Sequence, residues 1–289
     1  MTKILLVSSF NEKIYKLSGL RLIHSFIQYK IDTDLLITTE GQYSFDKLNE
    51  ISLKYSTIKL FSMNNYDYLN NWLEENKDII PIKYNGIFDS NNDNNDINIK
   101  LLNSFNKKTS LWFRKIASLK YALDNFKNAY DYIIWIDADT AFLNTLSNDY
   151  IIEQFKNTFC FYHLGLQRAK KTLCSIESGF IGFKKKKGYQ LIQLIIDEYS
   201  DKKFLKYARW DDGHIMGQVI INSDIKSFDV INSNKKLSQI ECMDPMHYGP
   251  FNTYVKHFKG SHHSNKKSKF NIIDYEEYEN RILELLLEK

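Results

Sequence analysis

The chain has 289 residues, a length that suits one large domain or two halves with a shared core. Hydrophobic residues make up 43% and charged residues 26%, which indicates an ordinary globular chain and excludes a disordered one. The formal net charge of +4 is small and comes with no concentrated basic arm, so nucleic acid is not expected as a partner.

The N-terminal part of the chain alternates predicted strands and helices. Short apolar runs predict three strands, Ile4–Ser8, Asp34–Thr38 and Thr57–Phe61. A helix between the first two is predicted from an apolar stripe at helical spacing, formed by Leu17, Leu20, Ile23 and Ile27. Strand, helix and strand at this spacing predict a parallel sheet with right-handed crossovers, and therefore an α/β fold.

The turn after the first predicted strand argues against two common nucleotide-binding motifs. Its sequence, Ser8-Ser9-Phe10-Asn11, lacks the glycines of a dinucleotide fingerprint, and no Walker A sequence occurs in the chain. A nicotinamide enzyme and a P-loop ATPase are therefore disfavoured.

The middle of the chain combines a low-complexity segment with a strongly apolar strand. Residues 86–98 are rich in Asn and Asp and predict a flexible loop. A helix is predicted over Leu111–Phe126, and the apolar run Tyr132–Ile136 predicts a central parallel strand. The later predicted elements are a strand near Phe159–Tyr162, the segment Glu177–Phe183, a helix around Tyr189–Tyr199, a helix from about Asp211, a strand Val255–Phe258 and a helix Tyr275–Leu286.

Two carboxylates follow the apolar strand directly. Asp137 and Asp139, separated by Ala138, stand at its carboxyl end, where open α/β sheets bind ligands. Side chains alternate along an extended chain, so both carboxylates lie on the same side. A divalent cation relieves their repulsion, and the pattern predicts a Mg²⁺ or Mn²⁺ site that bridges to a diphosphate. The alternative, a strand end with two solvated or helix-capping aspartates, remains open from this motif alone.

A longer block around these aspartates resembles the donor site of a known enzyme family. The block consists of Trp112-Phe113-Arg114-Lys115 and Tyr130-Asp131-Tyr132-Ile133-Ile134-Trp135-Ile136-Asp137-Ala138-Asp139-Thr140. It is similar to GT-A-fold glycosyltransferases, in particular the group of glycogenin and the bacterial lipopolysaccharide galactosyltransferases. In that group an arginine ahead of the Asp-x-Asp motif approaches the nucleotide, and Arg114 occupies that place.

Three further segments resemble motifs of this family, in the family's order. Glu177-Ser178-Gly179-Phe180 is similar to the Asn-x-Gly turn beside the transferred sugar, and Trp210-Asp211-Asp212-Gly213-His214 to the acidic segment near the reaction centre. His257-Phe258-Lys259-Gly260 resembles the C-terminal His-x-x-Gly, in which the histidine is a third metal ligand and the loop holds the diphosphate. The resemblance spans about residues 1–263.

The chain departs from the family pattern at three places. Glu177 replaces the usual Asn, Gly213 stands where Gln is common, and Ser261-His262-His263 replaces the C-terminal Lys-Pro-Trp. These departures leave the exact family and the stereochemical outcome open.

The resemblance implies a GT-A fold, with a Rossmann-like and mostly parallel central sheet flanked by helices, in a single domain over residues 1–265. Residues 1–140 would bind the nucleotide, residues 141–265 would shape the acceptor pocket, and residues 266–289 would form a C-terminal helical extension. The implied reaction is metal-dependent transfer of a hexose from a nucleotide-diphosphate sugar, UDP-linked, to a hydroxyl of a glycan, protein or lipid acceptor. The resemblance leans towards retention at the anomeric carbon.

The resemblance also implies a role for each matched residue. Asp137, Asp139 and His257 would hold Mn²⁺ or Mg²⁺. The expected contacts with the nucleotide sugar come from Ser8, Arg114, Lys115, Asp137, Ala138, Gly179, Lys259 and Gly260. The expected catalytic or acceptor-binding residues are Asp211, Asp212 and Glu177. Either aspartate would be the general base if the reaction inverts.

The same residues also have purely structural interpretations. Arg114 and Lys115 could be ordinary surface residues of a helix, and Asp211 and Asp212 could cap a helix N-terminus. Glu177 could be a structural hydrogen-bond acceptor.

Two other functions remain as alternatives. A haloacid-dehalogenase-type phosphatase also carries Asp-x-Asp at a strand end, but its motif requires Thr two places after the second Asp, where this chain has Ala141. The other alternative is a catalytically silent GT-A-like protein that binds a sugar or a partner, which a turnover assay distinguishes.

The cysteines and the apolar runs bear on location. Cys160, Cys174 and Cys242 are odd in number and form no CxxC, so a reducing compartment is expected, without disulfides or a zinc–thiolate site. The run Ile4–Val7 is too short for a signal peptide, and no run of about 18 apolar residues occurs. We therefore expect a cytoplasmic protein without a transmembrane segment.

Overall fold

A seven-stranded mixed sheet forms the centre of the computed structural model, which describes residues 2–41, 43, 45–80, 106–164, 176–231, 249–258 and 275–287. The strands of this described part are β1 (Ile4–Asn11), β2 (Asp34–Glu40), β3 (Ile58–Ser62), β4 (Tyr132–Ile136), β5 (Thr140–Phe142), β6 (Cys160–His163), β7 (Glu177–Lys184), β8 (Ser227–Asp229) and β9 (Val255–His257). The large sheet has the order β3-β2-β1-β4-β7-β6-β8, and β5 pairs with β9 in a separate two-stranded ladder.

Most neighbouring strands of the large sheet run parallel. β1 pairs in parallel with β2 and β4, β2 with β3, and β6 with β8, whereas β7 lies antiparallel between β4 and β6. Parallel neighbours need crossover connections, which the helices supply. The predicted α/β class, a mostly parallel Rossmann-like sheet flanked by helices as in GT-A folds, is confirmed.

The helices of the described residues are α1 (Glu12–Ile14), α2 (Leu20–Gln28), α3 (Asp46–Lys54), α4 (Asp67–Glu75), α5 (Thr109–Phe126), α6 (Asn148–Gln154), α7 (Lys187–Tyr199), α8 (Asp212–Asn222) and α9 (Tyr275–Leu287). A π-helical turn, Tyr15–Gly19, joins α1 to α2. The sequence analysis did not predict α3, α4 or α6. The predicted flexible loop at residues 86–98 lies outside the described residues.

Alternation along the central strands divides the apolar side chains between two cores. Leu5, Val7 and Trp135 pack with α5 on one face of the sheet. Leu6 and Ile134 pack with α2 on the other face, where α9 also contacts α2. The end of β4 therefore lies between side chains that approach from both faces. No helix among the described residues has the length and apolar character needed to cross a bilayer.

Candidate active site

The buried strand β4 delivers the two aspartates to one edge of the sheet. All five residues of β4 are buried, as expected for a central strand with neighbours on both sides. The pairing with β7 continues one residue further, because the Asp137 amide donates to the Gly179 carbonyl at 2.8 Å. The Thr140 hydroxyl then donates to the Asp137 carbonyl at 2.7 Å and closes the turn. Backbone contacts thus fix the position of the Asp137–Asp139 segment.

The two-stranded ladder brings a distant histidine to this turn. β5 follows the aspartates directly, and its first residue, Thr140, lies opposite His257 of β9. The ladder is extended by a further hydrogen bond, from the Phe258 amide to the Asp139 carbonyl at 2.8 Å. Antiparallel pairing at this register places His257 beside Asp139, as the resemblance implied.

Asp137, Asp139 and His257 form a group with the composition of a divalent-metal site. His257 Nε2 lies 2.9 Å from Asp139 Oδ1 and 3.8 Å from Asp137 Oδ2, and one ligand atom from each residue falls within 4.8 Å of the others. Adjacent ligands of an octahedral ion with bonds near 2.1 Å are about 3 Å apart, and the 2.9 Å between His257 Nε2 and Asp139 Oδ1 is compatible with a small divalent cation. His257 is 1% exposed, whereas about a quarter of each aspartate side chain is accessible. The group can therefore hold a cation that a ligand also reaches.

Gly179 packs directly against this group. A Cβ at this position would lie 3.0 Å from His257 Cε1, 3.1 Å from Asp137 Oδ2 and 3.4 Å from Glu177 Oε1. Such contacts are tight, so any larger residue would press on His257 and Asp137. The same geometry shows that the buried Glu177 carboxylate also lies close to Gly179.

The second carboxylate oxygen of Asp137 is held by the protein. The indole Nε1 of Trp135 donates to Asp137 Oδ1 at 2.6 Å, and the Lys115 ammonium lies 3.0 Å from the same oxygen. Trp135 and Asp137 are two residues apart, so their side chains lie on the same side of the extended chain. Asp137 therefore offers Oδ2 to the metal group and Oδ1 to neighbouring donors.

Lys115 of α5 links Asp137 to the start of α8. The buried ammonium forms an ion pair with Asp212 and donates to the carbonyl and hydroxyl oxygens of Ser178, at 3.0 and 3.1 Å. The Ser178 hydroxyl donates in turn to Asp212 Oδ2 at 2.7 Å. Burial opposes the charge of Lys115, but Asp137 and Asp212 outweigh burial and raise its pKa. Lys115 thus remains charged between two carboxylates.

Asp211 and Asp212 are adjacent but have different surroundings. Asp211 is the N-cap of α8, where its side chain accepts from the His214 amide at 3.3 Å, and it also accepts from Arg209 Nε at 2.7 Å. Burial raises the pKa of Asp211, and the Arg209 hydrogen bond opposes that rise. Asp211 therefore has the capping position named as an alternative, and Asp212 contacts the Lys115 network.

The other predicted nucleotide-sugar contacts have surroundings of their own. Arg114 forms an ion pair with Glu40 at the end of β2. Ser8 of β1 is fully buried, and its hydroxyl has no hydrogen-bond partner among the described residues. Ala138 is buried within the turn. Lys259 and Gly260 lie outside the described residues, so their predicted roles stay predictions.

Three residues of the network received no role from the sequence: Trp135, Ser178 and Arg209. Trp135 and Ser178 each belong to one of the motifs. Trp135 precedes Asp137 by two residues, a spacing that places both side chains on the same side of an extended chain. Arg209 precedes Asp211 by the same spacing.

No family model and no curated protein matches the chain. Among solved structures, the chain resembles a bifunctional glycosyltransferase, WbbM, determined in its apo form, with a TM-score of 0.41 and 14% sequence identity. The likeness covers 75% of this chain and 37% of the WbbM chain, so this chain spans little more than a third of that protein's length. A likeness of this extent does not bear on activity, which we therefore infer from the site itself.

Proposed function

We propose that the protein is a metal-dependent glycosyltransferase that uses a nucleotide-diphosphate sugar as donor. The observation that carries this proposal is the group of Asp137, Asp139 and His257, assembled from β9 and from the end of β4, at the carboxyl edge of the parallel strands β1, β2 and β4. Two carboxylates and an imidazole suit Mn²⁺, and suit Mg²⁺ less well because of the nitrogen ligand. When bound, the cation would stabilise the negative charge that develops on the leaving diphosphate.

The buried network next to the metal group supplies the groups needed to orient a sugar. The Asp212 and Glu177 carboxylates can accept from sugar hydroxyls, whereas the three N–H groups of the Lys115 ammonium already face Asp137, Asp212 and Ser178. We propose that Asp212 binds the transferred sugar, that Lys115 holds Asp212 in place and that Glu177 lies beside the reacting carbon. Asp211, which caps α8 and pairs with Arg209, is proposed to position Asp212.

The donor's nucleotide half is proposed to lie over the ends of β1 and β2, near Ser8 and Arg114. Support comes from Arg114, which pairs with Glu40 at the carboxyl end of β2, on the same edge of the sheet as the aspartates, whereas Ser8 lies three residues before the end of β1. The choice of UDP-hexose as donor, of a hydroxyl acceptor and of retention rests on the motif resemblance alone.

A donor screen tests the proposal. Thermal unfolding is measured with each of several nucleotide sugars in the presence of Mn²⁺, since a ligand that binds the native state raises the unfolding temperature. The stabilising donor is then assayed for hydrolysis and transfer, with EDTA and with Asp139→Asn as controls. We expect turnover that EDTA abolishes, that added Mn²⁺ restores and that Asp139→Asn lacks.

Two outcomes would contradict the proposal in different ways. Full turnover in metal-free buffer would exclude the assigned metal role. Donor binding without any turnover would identify a catalytically silent sugar-binding protein.

A further inference from the structure

Arg21 of α2 is a buried cation close to the metal group. Its side chain is 7% exposed, and its Nε has no hydrogen-bond partner. Within the described ranges, no carboxylate forms an ion pair with it. Burial lowers the pKa of Arg21, and the charges of Tyr278 and Asp139 oppose this only in part. Asp139 is therefore near enough to act on Arg21 electrostatically without pairing with it.

The guanidinium of Arg21 is stacked on the residue that follows the histidine ligand. Its central carbon lies 3.5 Å from the centroid of the Phe258 ring, and the Phe258 amide is bonded to the Asp139 carbonyl. The Lys256 ammonium lies 5.5 Å from the same centroid, so two cations approach one ring. Burial lowers the pKa of Lys256, and the nearby positive charge of Arg21 lowers it further.

This arrangement calls for an anion. An arginine cannot release its proton, and a buried charge is costly unless an opposite charge and hydrogen bonds compensate it. Stacking on Phe258 offsets only part of that cost. In the sequence, no Asp or Glu occurs between Phe258 and Asp274, so the adjoining stretch offers no carboxylate. The planar fork of a guanidinium matches two oxygens of a phosphate.

We propose that Arg21 binds a phosphate group of the donor's diphosphate, beside the cation held by Asp137, Asp139 and His257. Lys256 adds positive potential on the same side. Arg21 thereby shares the leaving group's charge with the metal and is a binding residue for the proposed reaction. The inference rests on the proposed function for the identity of the ligand, whereas the need for an anion rests on Arg21 itself.

Calorimetry on the full chain tests this role with three probes: Mn²⁺ alone, inorganic pyrophosphate with and without saturating Mn²⁺, and inorganic phosphate without metal. Arg21→Gln removes the charge, and Lys13→Gln removes an equal charge from an exposed position of α1 as the matched control. We expect Arg21→Gln to weaken Mn²⁺-pyrophosphate binding roughly 10- to 100-fold, the usual value of a hydrogen bond between charged groups. Affinity for Mn²⁺ alone should stay equal or rise, because a positive charge near Asp139 is lost.

Other results would overturn the proposal. Unchanged pyrophosphate affinity in Arg21→Gln would show that Arg21 does not bind the diphosphate. If affinity for Mn²⁺ alone fell as much as affinity for Mn²⁺-pyrophosphate, Arg21 would only stabilise the metal group. An equal loss of metal-free phosphate binding would assign Arg21 to a separate anion, such as a phosphate on the acceptor. If Arg21→Gln does not fold, Arg21→Lys keeps the charge but not the fork, and its Mn²⁺-pyrophosphate affinity should still fall about threefold to tenfold.

The design separates this inference from the proposed function. Pyrophosphate binding that depends on Arg21 but not on Mn²⁺ would keep Arg21 as an anion ligand while contradicting the metal centre. Pyrophosphate binding that depends on Mn²⁺ but is unchanged in Arg21→Gln would support the metal centre and contradict the role of Arg21.

Discussion

The two oxygens of Asp137 face two regions with opposite properties. On the Oδ1 side, Trp135 and Lys115 donate to the carboxylate within a buried network whose cation lies between two acids. On the Oδ2 side, Asp139 and His257 lie close by, and the carboxylates are partly accessible. The Oδ1 region (the stable side) is a buried network whose disruption should lower stability, and the Oδ2 region (the binding side) is accessible to a cation. Substitutions on the binding side should therefore change Mn²⁺ binding with little loss of stability, substitutions on the stable side should lower stability as well as turnover, and Asp137 should affect both sides.

Asp137→Ala should have the largest effect. It removes a metal ligand and leaves the Trp135 indole and one side of Lys115 without an acceptor, so we expect no turnover and a loss of about 2–4 kcal/mol in unfolding free energy. Asp139→Ala should abolish turnover equally, but it removes the hydrogen bond to His257 at 2.9 Å, so we expect a smaller loss of about 1 kcal/mol in unfolding free energy. Urea denaturation and a turnover assay on both variants measure the contrast. Equal stability losses would show that the two sides do not differ as described.

Lys115→Met should rank second. Asp137 and Asp212 lose the cation between them, so we expect a stability loss of about 2 kcal/mol and turnover reduced about 100-fold. Because Oδ2 is untouched, affinity for Mn²⁺ should not fall, and calorimetry can check this. Lys120→Met is the control, because Lys120 lies on the same helix but pairs with Asp124 and approaches the Tyr68 ring instead of the candidate site. A weaker affinity for Mn²⁺ in Lys115→Met would mean that Mn²⁺ binding at Oδ2 depends on the contacts of Oδ1, contrary to this prediction.

His257→Gln should act on the binding side alone. One of three protein ligands is lost while both carboxylates remain, so Mn²⁺ affinity and turnover should fall together by about tenfold to a hundredfold. His24→Gln, at another buried histidine that packs on Tyr278, should leave both unchanged. Titrations of Mn²⁺ followed by turnover give both quantities. Normal Mn²⁺ affinity in His257→Gln would remove the histidine from the metal group.

Gly179→Ala should have the smallest effect. The added methyl would press on His257 and Asp137 from 3.0 and 3.1 Å, so we expect affinity for Mn²⁺ to weaken about threefold to tenfold with the fold retained. Gly19→Ala offers a control with similar crowding, against the Phe10 ring at 3.3 Å. An identical effect of the two substitutions on Mn²⁺ binding would mean that Gly179 has no special relation to the metal group.

The binding side was more predictable from the sequence than the stable side. The run Tyr132–Ile136 is apolar throughout, so both the central strand and the two aspartates at its end could be predicted. The order of the motifs indicated His257. The ladder that holds His257 in place could not be predicted, because a three-residue strand such as β5 is too short to show periodicity.

The contacts of the network around Lys115 depend on which of two adjacent residues faces the site, and the sequence does not show this. Arg114 and Lys115 are neighbours on a helix and point about 100° apart, so only the tertiary structure decides which one meets Asp137. The resemblance favoured Arg114 for the nucleotide, and the structure places Lys115 against the aspartates and Arg114 against Glu40. Asp211 and Asp212 pose the same difficulty, since both are aspartates and either one could cap the helix.

The ladder between β5 and β9 has a consequence for how the chain acquires its site. It closes a loop of more than a hundred residues, from Thr140 to His257, and contacts of such separation form late because the entropy of loop closure must be overcome first. During synthesis from the N-terminus, the aspartates emerge long before the histidine. A nascent chain therefore completes the proposed metal group only after His257 has left the ribosome, more than a hundred residues after the aspartates, and tight Mn²⁺ binding would report that β9 has docked on β5.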